Sequence, residues 1–169
     1  TDILIRNGYY APVGDVAWGS GGGYNGPSKF SDVTVLDNDC YYCLDMTRGR
    51  IFGYDFQGNM LYAFGGIGYR QGNFKNPAAI EAIGNSLLVL DKELASLTVM
   101  TLTEYGELIN NALDTYKIGQ YDVSADYWRE VLKLNGNYDL AYIGIGRSLL
   151  RQDRFEEAME YFKLKLDYK

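Results

Sequence analysis

From Phe30 the chain carries a β-branched alternating run, Val33, Thr34 and Val35, that suits an extended strand. "DCYYCLD", Asp39 to Asp45, reads as a second strand, in which Cys40 and Cys43 point to opposite faces because they stand three residues apart. From residue 105 onward the texture turns helical. Apolar side chains at Tyr127, Trp128, Val131, Leu132 and Leu134 mark an amphipathic helix. "NGNYD", Asn135 to Asp139, is a Gly/Asn turn ahead of the next helix. The pattern predicts an α+β chain in two parts, all-β over 1–104 and α-helical over 105–169.

Both parts repeat internally. Setting the stretch from Phe30 beside the stretch from Phe74 places Leu44-Asp45 on Leu90-Asp91 and Ile51 on Leu97, each 46 residues on, with turn glycines Gly58 and Gly106 following at 48. Units of about 40–50 residues with about four short strands are propeller blades. The loops ahead of the two units also match, "GGGYNGPSKF" from Gly21 and "GGIGYRQGNF" from Gly65. Gly21 to Gly26 fits G-x-G-x-x-G letter for letter, but a phosphate cradle needs a helix after it, and a strand pattern follows instead. The glycine cluster is expected to be the joint between blades, supplying positive φ angles and close backbone approach.

In the helical part "YKIGQYDVSADYW" and "LLRQDRFEEAMEYF" align at an offset of 34, pairing Gly119 with Asp153, Tyr121 with Phe155, Ser124 with Ala158 and Trp128 with Phe162. That period resembles a tetratricopeptide pair. The second unit's helix A places Tyr142, Ile145, Gly146 and Leu149 on consensus sites, while Asn111, Thr115 and Lys165 depart from the pattern. On this register Ile109, Leu113 and Tyr116 of the first helix A, roughly Tyr105 to Ile118, and Leu140, Ile143, Arg147 and Leu150 of the second face a peptide groove. The alternative is that these residues pack against the neighbouring blade.

Composition narrows the chemistry. A formal charge of −6 argues against nucleic-acid backbones. No apolar run reaches a membrane span and no signal peptide is present, although the start at Thr1 reads as a piece of a longer protein. The chain has no histidine, which removes Ser-His-Asp and Cys-His nucleophiles and the commonest zinc, copper and haem ligand. No catalytic residue, metal or cofactor is expected. The alternative is a propeller-type hydrolase or lyase holding a metal through Asp15, Asp37, Asp39, Asp45, Asp91 or Glu93. The C-x-x-C of Cys40 and Cys43 lies on a strand rather than at a helix N-terminus, so two unpaired, packed thiols are expected. Sixteen tyrosines leave carbohydrate recognition as a further alternative, through Trp18, Tyr24, Tyr41, Tyr54, Tyr62 and Tyr69.

"LDMTRGRIFGYDFQGNML", Leu44 to Leu61, resembles an NHL-repeat blade. The resemblance puts Asp45 and Arg50 at the family's Asp and Arg, which brace the strand and loop of their own blade, whereas Ser96 replaces that Arg in the second copy. "RNGYYAPVGDVAWG", the blades and "YDLAYIGIGRSLLRQDRFEEAMEYFKL" together resemble the segment of large bacterial membrane proteins that carry a signal sequence, NHL blades, tetratricopeptide units and a Yip-family membrane domain. It implies an extracytoplasmic interaction fragment, with a protein or peptide partner such as a transporter component. Two blades and a partial one, "ILIRNGYYAPVGDVAWG", are too few to close a propeller. Self-association through the open β edge is therefore expected.

Overall fold

The computed structural model describes residues 14–15 and 28–166. The first glycine loop, Trp18, Tyr24 and most of the expected partial blade lie outside the described residues. The chain divides into two compact units, Thr1–Thr101 and Leu102–Lys169. The division falls just ahead of the expected 104/105 boundary, because Thr103 already caps the first helix, its Oγ1 accepting the Gly106 N–H at 3.3 Å.

The β unit holds strands β1 (Phe30–Val35), β2 (Tyr41–Asp45), β3 (Arg50–Tyr54), β4 (Met60–Gly65), β5 (Pro77–Ile83), β6 (Ser86–Asp91) and β7 (Ser96–Thr101). They form two antiparallel meanders, β1-β2-β3-β4 and β5-β6-β7. The second sheet thus has three strands, and Gly106, read from sequence as its closing turn, lies instead in the first turn of a helix.

The sheets repeat each other in detail. Asp45 pairs with Phe30 and Asp91 with Pro77, and each pairing is followed by a register shift, between Phe30 and Asp32 in one sheet and between Pro77 and Ala79 in the other. Each such bulge re-aims the strand that carries it. Gly65, Gly68 and Gly72 adopt positive φ in the loop that leads from β4 to β5. Gly65 could not be replaced there, since a Cβ would meet the Gly49 carbonyl oxygen at 2.6 Å.

Asp32, Thr34, Tyr42, Leu44 and Ile51 share one face of the first sheet, since Asp32 lies opposite Leu44, Thr34 opposite Tyr42 and Leu44 opposite Ile51. The second sheet covers that face. Asp32 accepts the Ile80 N–H at 2.8 Å and Thr34 Oγ1 accepts the Ala82 N–H at 2.9 Å. These side chains accept from N–H groups on the edge of β5 that β6 does not pair. Tyr42, Leu44 and Ile51 on one side and Ile80, Leu87 and Val89 on the other are buried. Gly53 separates Tyr42 from Tyr62, whose hydroxyls meet at 2.7 Å. The opposite face of the first sheet carries a second cluster, Cys43, Phe52 and Tyr54 with Phe30, Tyr41 and Ala63 against it.

The helical unit comprises α1 (Glu104–Lys117), α2 (Tyr121–Leu134), α3 (Asp139–Leu150) and α4 (Phe155–Leu166). Consecutive helices pack as antiparallel neighbours joined by short turns. Gly119 and Asp153, 34 residues apart, both take positive φ where the chain reverses. Ser124 and Ala158, the next such pair, are both fully buried, and Ser124 Oγ donates to the Ala112 carbonyl at 2.8 Å. The small side chains let the helices approach. The aromatic pair behaves alike: Trp128 packs where Gly144 has no side chain, and Phe162 does the same at Gly146.

Candidate binding surface

α1 and α3 run side by side in the same direction, tied at both ends. At their N-terminal ends the Tyr105 ring meets the edge of Tyr138, the N-cap of α3, with centroids 5.9 Å apart. At their C-terminal ends Tyr116 Oη accepts from Arg151 Nε, at the C-cap of α3, at 3.3 Å. Along this pair lie the residues assigned to a groove. Leu113, Tyr116, Leu140 and Ile143 are half-buried, and Arg147 and Leu150 are exposed. Ile109 is fully buried and contributes no surface. Five apolar or aromatic side chains with one guanidinium among them suit an apolar peptide rather than a small polar substrate. The tying contacts of Tyr105, Tyr138 and Arg151 carried no sequence signal, because ring pairs across a helix layer follow no fixed spacing.

Three of the carboxylates considered for a metal, Asp15, Asp45 and Asp91, are engaged by other groups of the β unit. Asp45 and Asp91 are completely buried at equivalent strand ends. Asp45 Oδ1 accepts from the Thr47 and Arg48 N–H groups at 3.0 and 3.2 Å, and Asp91 Oδ1 from Glu93 and Leu94 at 3.0 and 3.1 Å. Asp91 also accepts from Lys75 N–H at 2.6 Å. Burial opposes ionisation of Asp91, yet the N–H donations from Lys75, Leu94, Asn76 and Glu93 outweigh it and hold its carboxyl below the usual range. Asp37 and Asp39 sit in the β1–β2 turn, where Asp39 is left-handed, and Glu93 sits in the β6–β7 turn. Among the described residues no group of three or more Cys, Asp or Glu side chains could hold a metal ion.

Asp45 and Arg50 lie directly opposite each other on β2 and β3. Their ion pairs go elsewhere. Arg50 Nη1 donates to both oxygens of Asp15 at 2.7 Å and its guanidinium lies over the Phe52 ring at 5.2 Å. Asp45 Oδ2 is met by Arg48 Nη1 at 3.2 Å. Arg48 thus supplies the guanidinium beside the buried carboxylate.

The aromatic residues considered for carbohydrate are dispersed among the described residues. Tyr54 is buried and stacks on half-buried Tyr41 with centroids 5.1 Å apart. Tyr62 is turned toward Tyr42. Tyr69 is exposed and holds Lys75 Nζ over its ring at 3.3 Å. Cys40 and Cys43 are buried and in no disulfide, and burial pushes the Cys43 thiol up to about 11. No helix among the described residues is long and apolar enough to cross a membrane. Neither protein-family models nor curated proteins match this chain.

Proposed function

We propose that the chain is a non-catalytic interaction module, two propeller-type blades of the NHL kind followed by a tetratricopeptide pair, and that its α1/α3 surface receives a peptide segment of a partner protein. The observation that carries this reading is the row of partly exposed apolar side chains, Leu113, Tyr116, Leu140, Ile143 and Leu150, along two parallel helices fastened at both ends. A fastened surface loses little conformational freedom on binding, so more of the contact energy is expressed as affinity. The equivalences at an offset of 34 support the tetratricopeptide reading, and the repeated sheet with its bulge and buried aspartate supports the blade reading. The catalytic alternatives are less well supported, because Asp45 and Asp91 are engaged by backbone N–H groups of their own hairpins. By its resemblance to bacterial envelope proteins, the module works outside the cytoplasm, and a transporter component is a fitting partner.

Fluorescence of a hydrophobic dye tests the surface in the intact chain. Ile143→Asp and Leu150→Asp are expected to reduce dye binding at equal helix content. A signal unchanged by both substitutions would remove the groove from the reading.

A further inference from the structure

Both sides of the joint between the two sheets have repeat counterparts that carry exposed apolar side chains. In the joint the first sheet offers Tyr42, Leu44 and Ile51, all at most 1% exposed. Their repeat equivalents on the second sheet are Leu88, Leu90 and Leu97, by the common registers around Asp45 and Asp91. Leu90 is 42% and Leu97 59% exposed, and Val99 and Ile83 beside them are 61% and 60% exposed. The second sheet offers Ile80 to the joint, at 3% exposure, whereas its equivalent on β1, Val33, is 57% exposed and Val35 is 60% exposed.

We propose that two copies of this chain join head to tail, the bare face of the β5–β7 sheet on one copy receiving β1 of the other, as the β1–β4 sheet receives β5 within a chain. Val33 and Val35 of the incoming strand then cover Leu90, Leu97 and Val99. A second copy is the occupant because its β1 has the same bulge and the same place in its sheet as β5, and carries exposed Val33 and Val35 where β5 carries Ile80 and Ala82. The contact is heterologous, so each copy keeps one free end and growth continues past a dimer. It involves the β unit alone, and its failure leaves the helical groove to be judged by its own titration.

Sedimentation velocity on the intact chain from micromolar to millimolar concentration tests this. The chain is expected to grow through dimers to larger species. Leu97→Asp and Val35→Asp, one on each surface, are each expected to weaken association about tenfold or more, since either buries a charge in an apolar contact. Mixed together, they form a one-to-one dimer that stops there, because each variant retains the surface the other lacks. Thermal melts confirm that each variant is folded, and Val99→Asp and Val33→Asp replace either one that is not. A monomeric chain at millimolar concentration, undiminished association of the Val35→Asp protein, or failure of the mixture to pair would overturn the proposal.

Discussion

The indole of Trp128 on α2 occupies the space that a side chain at Gly144 on α3 would fill, its Cε2 within 2.5 Å of where a Cβ would stand. This contact seats one helix hairpin on the next. Gly144→Ala gains helix propensity of about 1 kcal/mol but must displace a buried ring, at about 1–3 kcal/mol. A net loss of about 1 kcal/mol is expected in denaturant unfolding. In a Trp128→Leu background the same substitution is expected to become neutral or stabilising. Equal cost in both backgrounds would show that the ring is not the obstacle.

Ala95 adopts a φ of +47° at the turn position where the first sheet has Gly49 at +63°. A left-handed conformation costs an L-residue about 1–2 kcal/mol, and glycine escapes it at some expense in unfolded-state entropy. Ala95→Gly is therefore expected to stabilise the β unit by about 0.5–1 kcal/mol. A lower melting temperature would contradict the assignment of strain to this residue.

Asp91 links stability to acid. Its folded carboxyl titrates below the ordinary 3.8, so its ionised form contributes fully above that value and the contribution is lost as pH falls through the lower folded value. Asp91→Asn is expected to cost about 1–3 kcal/mol at neutral pH, with the gap between the proteins narrowing below about pH 4. Parallel stability curves across that window would refute the linkage.

Cys43 is buried with its thiol pushed up to about 11, so little reactive thiolate forms near neutrality. A thiol reagent at pH 8 is expected to label the native chain only as fast as it opens, and both cysteines promptly in denaturant. Immediate labelling of the folded chain would place Cys43 in the open.

The order of a β part before a helical part was legible because the apolar period changes near residue 105. The 46-residue spacing of Asp45 and Asp91 returns as two hairpin ends with the same capping bonds. Gly106 misled the reading: a glycine two residues past the common offset resembles a turn, but the Thr103 cap draws it into a helix. At the site, spacing distributed Leu113, Tyr116, Leu140, Ile143, Arg147 and Leu150 over two helices. It did not disclose that Ile109 is wholly enclosed, since burial depends on what packs over a face as well as on its period. The roles of Asp32 and Thr34 were hidden too, because a polar residue alternating along a strand reads as solvent-facing unless the neighbouring strand is known.

The most direct measurement is selection of displayed random peptides on the immobilised intact chain, followed by titration of the winners against the Ile143→Asp and Leu150→Asp proteins. The account predicts enriched peptides that share apolar residues at a common spacing and lose about tenfold or more in affinity to both variants. Selections that enrich nothing, or peptides that bind the variants as well as the parent chain, would contradict it.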